Sequence, residues 1–144
     1  MREGFQNPSD DRIREILGTP RSVAVVGCSP DPTRDSHRIA RLLLARGHRI
    51  HPVHPAGGTI LGRAVHASLR DVPDAVEMVD VFRRPEAIDA VVDDALEIGA
   101  RILWLQLGVV NESAASRAGV AGMTVVMDRC PAIEYRRLFP PPLE

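Results

Sequence analysis

The sequence lacks three features that would each indicate a class of function: a long apolar run, an excess of one charge, and paired cysteines. No apolar stretch approaches the roughly 20 residues that a membrane-spanning helix needs. The formal net charge of −1 provides no overall attraction to nucleic acid or to an anionic membrane, so an anionic ligand must be held by a local cluster of donors. We therefore expect neither a nucleic-acid partner nor a membrane partner.

Cysteine is scarce, with Cys28 and Cys130 as the only two in the chain. They lack the paired spacing of a zinc site or of a redox C-x-x-C motif, and we expect both to be free thiols. The five histidines also lack a metal-binding spacing, so no metal site is expected. The opening MREGFQNPSDD contains neither the apolar core nor the cleavage pattern of a signal peptide. These observations predict a cytoplasmic protein.

Two nucleotide-binding motifs are missing as well. A dinucleotide site requires G-x-G-x-x-G after the first strand and an acidic residue at the end of the second strand, about 20 residues on. Here the first strand is followed by GCSP, and the second ends in HPVHP, so its tip carries His54. The Walker A motif is absent too, which leaves ATP or GTP cleavage without support. What remains is a phosphate-rich ligand whose ribose is not bound by an acid.

The composition, in contrast, is that of an ordinary folded domain, with 44% hydrophobic and 26% charged residues. The length predicts a single domain over residues 1–144, with a frayed tail at 140–144. Residues 1–20 are predicted to form a lead-in and a helix. In SDDRIREILG, Ser9 is the expected N-cap, apolar residues follow at helical spacing, and Gly18 is the expected stop.

Five short apolar runs alternate with helical patterns along the rest of the chain, and their β-branched content is typical of buried strands. The predicted strands are 22–26, 49–53, 77–82, 102–105 and 124–127. The predicted helices are 36–46, a segment from Pro85 to just before Gly99, and 112–118, with Asn111 as N-cap and Gly119 as stop. Between the second and third strands we expect a short strand or turn at 59–62 and one helical turn at 68–71.

This alternation predicts a doubly wound, Rossmann-like α/β fold, a mostly parallel five-stranded sheet with helices on both faces. We expect the strand order 3-2-1-4-5, which places a ligand beyond the carboxyl ends of the strands, at the loops after the first and fourth strands. Polar residues cluster at the strand exits, which read GCSPDPTRDS, HPAGG, RRPE, QLGVVN and DRCP.

The first exit, residues 27–36, has the features of an anion-binding loop. Gly27 allows a sharp turn and a close approach to a ligand, and free amides at the start of the next helix favour phosphate. Three hydroxyls and one permanent cation add side-chain donors, from Ser29, Thr33, Ser36 and Arg34. On these residues alone, the loop can also be a plain connection in which Asp35 or Ser36 caps the helix.

Six segments, in this order and spacing, resemble the small stand-alone CoA-binding protein family, related to the CoA-binding domain of the succinyl-CoA synthetase α subunit: SVAVVGCSPDPTRDS, HPVHP, LGRAVHASLRDVP, VDVFRRPE, WLQLGVVNE and VMDRC. The resemblance covers about residues 22–138. It implies coenzyme A as the cofactor, with the 27–36 loop around the diphosphate. The family usually has Asn at the position of His54 and often an aromatic residue at that of His66.

The resemblance also implies which residues contact the ligand. The loop contacts would be Gly27, Cys28, Ser29, Arg34 and Ser36. The residues bordering the adenosine end would be Pro52, His54, Pro55, Phe82 and Arg83. Gln106, at the exit of the fourth strand, is a further candidate for the pantetheine side, whereas Trp104 on the same strand is expected in the core.

Other side chains have both a functional and a structural interpretation. Cys28 lies where helix amides and Arg34 can lower a thiol pKa. A nucleophile also needs a base, which the sequence does not place beside it, so we expect a small residue fitted to a tight turn and no catalytic residue. Asp128, Arg129 and Cys130 can face the crevice. Alternatively, an Asp–Arg pair fixes the loop before a helix at Pro131.

The resulting hypothesis is a module that binds CoA or acyl-CoA without complete catalytic machinery, because the synthetases it resembles need further domains for ATP and for a phosphorylated histidine. A protein partner remains open. The alternative from another class is an NAD(P)-dependent oxidoreductase or redox sensor on the same fold, which the missing glycines and acid disfavour. A third interpretation is a domain of this fold that binds another nucleotide.

Overall fold

The computed structural model describes residues 5–140. Residues 141–144 of the predicted frayed tail and the first four of the predicted lead-in lie outside the described residues. The described residues contain five α-helices, namely α1 Asp10–Gly18, α2 Asp35–Ala45, α3 Ile88–Glu97, α4 Glu112–Val120 and α5 Pro131–Leu138. The strands are β1 Ser22–Val26, β2 Arg49–Val53, β3 Thr59–Ile60, β4 Arg63–Ala64, β5 Met78–Val81, β6 Ile102–Leu105 and β7 Thr124–Val126.

Five strands form one parallel sheet in the order β2-β1-β5-β6-β7. The predicted doubly wound α/β fold is therefore confirmed. The predicted order 3-2-1-4-5 is wrong, because the third strand of the sheet, β5, pairs with β1 and not with β2. The point where the strand order reverses thus lies between β1 and β5, and the loops that meet there follow the first and third strands.

Pro52 explains why β2 stays at the edge of the sheet. A proline has no N–H to contribute to a ladder, so strands that contain one are confined to edges. The side of β2 away from β1 is occupied instead by the chain that follows the β3–β4 hairpin. There the N–H of His66 donates to the Pro52 carbonyl at 3.0 Å, and the His54 N–H donates to the His66 carbonyl at 3.0 Å.

The opposite edge strand, β7, is only three residues long. At its exit the side chain of Asn7 takes both backbone groups of Met127. Its amide nitrogen donates to the Met127 carbonyl at 2.9 Å, and its oxygen accepts from the Met127 N–H at 2.7 Å. The segment before α1 is thereby tied to this edge of the sheet.

Helices cover both faces of the sheet. One apolar cluster joins the sheet to α1, α2 and α5, and the other joins it to α3 and α4. Consecutive strand residues alternate between these clusters, as the pleat requires: Trp104 belongs to the first, whereas Leu103 and Leu105 belong to the second. Trp104 is fully buried, which confirms the core position expected for it. No helix within residues 5–140 is long and apolar enough to span a bilayer.

Most predicted boundaries agree with the structure to within a residue or two, and Ser9 caps α1 by accepting from the Arg12 N–H. One predicted stop is wrong, because α4 continues through Gly119 to Val120. The chain leaves this helix at Gly122, whose φ of +104° suits glycine. Between β3 and β4, the predicted turn is a two-residue hairpin loop, and a 3₁₀ turn at Leu69–Asp71 fulfils the prediction of one helical turn.

Candidate functional site

The exits of β1 and β5 meet at very close range. The Phe82 N–H donates to the Val26 carbonyl at 2.9 Å, and Gly27 turns away with a φ of +83°. A Cβ on Gly27 would lie 2.4 Å from the Phe82 carbonyl oxygen. Gly27 was expected to allow the close approach of a ligand. The structure gives a more immediate reason for a glycine here, because an alanine would collide with the backbone of Phe82.

A cleft of about 590 Å³ opens above these exits, and we name it the α2 cleft because it borders the amino end of that helix. Its walls include six of the predicted ligand contacts: Gly27, Ser29, Arg34, Ser36, His54 and Phe82. Thr33 and Asp35 also line it. The structure thus brings the loop residues together with the tip of β2 and the exit of β5.

The loop is held in shape by its own side chains. The Ser36 hydroxyl accepts from the Ser29 N–H at 2.9 Å, and the Ser29 hydroxyl accepts from the Asp31 N–H at 3.0 Å. Both the N–H and the hydroxyl of Thr33 donate to the Asp31 carboxylate, which lowers the pKa of Asp31 below its usual value. The Thr33 hydroxyl expected to be a ligand donor is thereby engaged within the loop.

His37 completes this arrangement, a role that the sequence analysis missed. It is buried in the first turn of α2, and its Nδ1 lies 3.0 Å from the Ser29 carbonyl oxygen. Because a carbonyl only accepts, Nδ1 must carry the proton in this contact. The signal was a histidine directly after the last loop residue, where a side chain can reach back to the loop backbone.

The amino end of α2 has no side-chain cap. Arg34 occupies the N-cap position, and no side-chain oxygen accepts from the first amides of the helix. The proposed alternative of a loop capped by Asp35 or Ser36 is therefore wrong, since both residues lie inside the helix. The first amides of a helix cannot bond within it, so those of α2 remain free to meet an anion. The exposed Arg34 guanidinium, which has no ion pair with a described residue, lies beside them.

A second cleft, of about 780 Å³, continues from the first, and we name it the α5 cleft. Asp35 and Phe82 line both clefts. The walls of the α5 cleft come from α2, from the exits of β5 and β6, and from the start of α5, where Cys130 and Ala132 lie. Gln106, the candidate for the pantetheine side, lines this cleft and is 6% exposed.

A third and smaller cleft, of about 220 Å³, lies on the other face of the sheet beside α3, and we name it the α3 cleft. Pro55 and Arg83 line it, together with Gly27 at the exit of β1. The residues predicted for the adenosine end are therefore divided. His54 and Phe82 lie at the α2 cleft, and Pro52 is buried in β2 without lining any of these three clefts.

Cys28 is fully buried under the loop and also lines none of the three clefts. Burial and the nearby carboxylate of Asp80 raise the pKa of its thiol to about 11. A thiol with so high a pKa is protonated at neutral pH, so the alternative of an activated nucleophile is not supported. Both cysteines are free thiols, as the sequence predicted.

Asp80 lies in the middle of the apolar strand β5 and was overlooked in the sequence, although a carboxylate at a buried strand position is itself a signal. Its side chain is completely buried and accepts a hydrogen bond from the Gln106 amide. Its Oδ2 has no hydrogen-bond partner among residues 5–140. Burial raises the pKa of Asp80 to about 7, and the Gln106 hydrogen bond opposes that rise.

The DRC segment after β7 is organised differently from the predicted Asp–Arg pair. The Asp128 carboxylate accepts from the Gly108 N–H at 2.7 Å, which ties this loop to the exit of β6. The Arg129 guanidinium donates to the Asp128 carbonyl at 2.8 Å, so the two side chains do not pair with each other. As for metal binding, no group of three His, Cys, Asp or Glu side chains in residues 5–140 is arranged to hold an ion.

Comparison with known proteins identifies the family of this chain. Residues 21–136 match a family described as a CoA binding domain. The uncharacterized protein YneT of Bacillus subtilis strain 168 is 39% identical over 126 residues, which cover 88% of this chain and 93% of that protein. A solved structure of a hypothetical protein from Pyrococcus horikoshii OT3 has a TM-score of 0.88 and 35% identity, over 96% of this chain and 99% of that chain.

A more distant relative is a subunit of an enzyme. The α subunit of the ADP-forming acetate–CoA ligase I of Pyrococcus furiosus is 30% identical over 95 residues, which cover 62% of this chain but only 21% of that subunit. This similarity therefore concerns one part of a longer protein. The family match spans most of the sequence, and it agrees with the family that the six segments resemble. The chain belongs to the CoA binding domain family.

Proposed function

We propose that the chain is a single CoA-binding domain that holds coenzyme A or an acyl-CoA along the carboxyl edge of its sheet. The observation that carries this proposal is the amino end of α2, where free amides and the Arg34 guanidinium line one cleft. A helix amino end favours negative charge, and a guanidinium suits phosphate oxygens. The diphosphate is placed there, with the Ser29 and Ser36 hydroxyl protons as further donors.

The other two clefts receive the two ends of the ligand. The α3 cleft, between Pro55 and Arg83, is the proposed position of the adenine. The α5 cleft, with Gln106 in its wall, is the proposed position of the pantetheine arm. Gly27 borders the first of these clefts, and Phe82 borders the second, while both residues line the α2 cleft. One extended ligand can therefore pass through all three.

The domain is proposed to bind its ligand without complete catalytic machinery and to act in the cytoplasm, alone or with a protein partner. The high pKa of the buried Cys28 thiol supports the first part, since it removes the one candidate nucleophile of the loop. The NAD(P)-dependent alternative gains no support, because β2 is followed by His54 where a dinucleotide site places an acid.

The first test is the melting temperature of the purified chain with CoA, dephospho-CoA, NAD and NADP. A ligand that binds only the folded state raises this temperature with concentration. We expect a clear rise with CoA and a much smaller one with NAD or NADP. A larger rise with either nicotinamide cofactor would contradict the proposal and restore the oxidoreductase alternative.

The second test is Arg34→Ala, with affinity measured by calorimetry. Removing a hydrogen bond to a charged group weakens binding by about 1.5–3 kcal/mol, and the fold should remain intact because Arg34 is exposed. If Arg34 meets the diphosphate, CoA and dephospho-CoA lose similar affinity. If it meets the 3′-phosphate, only CoA is strongly affected. Unchanged affinity for both ligands would remove Arg34 from the site.

A further inference from the structure

We propose that the α5 cleft holds the acyl group of an apolar acyl-CoA, so that the thioester and not free CoA is the preferred ligand. This inference rests on the proposed function, because the diphosphate on α2 determines which end of the ligand reaches the cleft. The α5 cleft is reached from the α2 cleft past Asp35 and Phe82, which line both. Its volume of about 780 Å³ lies within the range of small-molecule sites.

The walls of the cleft are predominantly apolar. Ile39 and Leu42 of α2 face it from one side, Leu107 and Val109 of the β6 exit from another, and Ala132 of α5 closes it. Leu107 is 59% exposed, which is unusual for a large aliphatic side chain beside a cleft. A free thiol would leave most of this surface in water, whereas an aliphatic chain would cover it.

Of the polar side chains that line the cleft, the buried one is that of Gln106. Its nitrogen donates to the buried Asp80, so the carboxylate orients the amide. Because Asp80 holds the amide nitrogen, the Gln106 oxygen is left to face the cleft as an acceptor. That oxygen can accept from an amide N–H of the pantetheine arm, after which the apolar walls remain for the acyl chain.

The arginines at the mouth of the cleft do not alter this assignment. The Arg38 guanidinium is paired with Asp35 on the same helix, so its charge is already compensated. Arg83, Arg84 and Arg136 also line the cleft and are exposed, where water and salt screen their charges. The chemistry that the enclosed part of the cleft favours is aliphatic.

The test measures dissociation constants for CoA, acetyl-CoA, butyryl-CoA and hexanoyl-CoA by calorimetry. Burying one methylene group improves affinity about fourfold. We therefore expect butyryl-CoA to bind roughly tenfold more tightly than acetyl-CoA, until the cleft is filled. Failure of CoA and of every thioester to bind would refute the proposed function itself. Binding of CoA with no gain along the series would overturn only the acyl proposal.

A matched pair of ligands separates an apolar site from a charged one. Succinyl-CoA and butyryl-CoA have acyl chains of four carbons, but the first ends in a carboxylate. We expect butyryl-CoA to bind at least tenfold more tightly, because the carboxylate would lose its hydration against aliphatic walls. Tighter binding of succinyl-CoA would show that the arginines at the mouth hold an anion, and it would overturn the proposal.

A matched pair of variants places the chain in the cleft. Ala132→Phe fills the cleft, whereas Ile133→Phe adds the same ring at a 42% exposed neighbour that does not line it. The first variant should lose the preference for butyryl-CoA over CoA, taken as the ratio of the two dissociation constants in the same variant, whereas the second should keep both this ratio and its CoA affinity. A preference that survives Ala132→Phe would overturn the proposal. Leu42→Asn, which makes the wall polar without filling it, should weaken the same preference if Ala132→Phe does not fold.

Discussion

The amino ends of α2 and α4 occupy equivalent places in the fold, but only that of α4 has a side-chain cap. Each helix follows a strand of the same parallel sheet, so both begin at the carboxyl edge. In α4, Asn111 accepts from the Ala114 N–H at 3.1 Å and also donates to the Pro85 carbonyl at 2.9 Å. In α2, Arg34 occupies that position and caps nothing. The same topology thus yields one closed helix end and one open to an anion.

The difference identifies the site more sharply than the fold does. A side-chain cap stabilises a helix by about 1 kcal/mol, and α2 forgoes it. The N-cap position of α2 is occupied by Arg34, whose charge suits a phosphate and whose side chain cannot accept a hydrogen bond. The structured loop before α2 keeps the free amides in place through contacts among Ser29, Asp31, Ser36 and His37.

The largest expected effect concerns Asp80. Its side chain is buried, and its Oδ2 has no hydrogen-bond partner among the described residues. A pKa raised by burial from 3.8 to about 7 means that the folded state holds a proton which the unfolded state releases. This contribution to stability is complete below pH 4 and is lost as the pH rises toward 7. Asp80→Asn removes the cost of ionisation, roughly 4 kcal/mol at high pH.

The measurement is the free energy of unfolding in urea between pH 4 and pH 8. We expect the variant and the parent to be similar at pH 4, with the variant increasingly more stable as the pH rises. Parallel stability curves would show that Asp80 does not titrate in this range. A variant that is less stable at every pH would show that the carboxylate makes contacts that an amide cannot replace.

The next largest effect is expected at Gly27, in the turn that leads from β1 to the uncapped end of α2. Gly27→Ala places a methyl group against the Phe82 carbonyl at a φ of +83°, and we expect a loss of about 3 kcal/mol in unfolding free energy. Gly57→Ala is the matched control, since Gly57 also has a positive φ, +66°, but no atom beyond its two chain neighbours lies within 4 Å of the added carbon. It should lose only about 1 kcal/mol. Equal losses would mean that the Phe82 contact is unimportant.

A third prediction concerns Arg34→Asn, which gives α2 the same type of N-cap residue as α4. Arg34 has the extended backbone of an N-cap residue, with φ −81° and ψ 147°, so Arg34→Asn can cap the helix as Asn111 does. We expect a gain of about 1 kcal/mol in stability and weaker CoA binding than in Arg34→Ala, because the new oxygen takes an amide from the ligand. Equal CoA affinity in the two variants would show that these amides do not hold the phosphate.

The smallest effect is expected at the closed end. Asn111→Ala removes the cap of α4 and should lower the unfolding free energy by about 1 kcal/mol, while CoA affinity stays within twofold. Urea unfolding and calorimetry on the same sample check both quantities. A large loss of CoA affinity would show that the two helix ends are not independent.

Local patterns in the sequence predict the elements of this fold well. Apolar runs and glycine stops place β1, β2 and β6 at their observed bounds, because each strand is buried along most of its length. The predicted strand order was wrong, although Pro52 already excluded the interior position that this order gave to β2. Which strand lies beside β1 depends on packing over long distances, which local periodicity does not describe.

The candidate site was predictable to a similar depth. The residues of the 27–36 loop that line the α2 cleft follow from one contiguous segment. The α5 cleft could not be predicted in this way, because its walls come from α2, from two strand exits and from α5, which are far apart in the sequence. Its apolar members, such as Leu42, have the spacing of ordinary core residues, and only the assembled helices show that some of them border a cleft.

Both edges of the sheet have backbone groups that are bonded to what lies beside them, and this has a consequence for association. Unpaired strand edges are templates on which a second chain can add its own strand. Here Pro52 lacks an N–H and its carbonyl is taken by His66, while Asn7 takes the backbone of Met127. Two copies meeting edge to edge would find the groups of Pro52 and Met127 already bonded. Self-association through a continuous intermolecular sheet, the route toward fibrils, is therefore disfavoured at both ends of this fold.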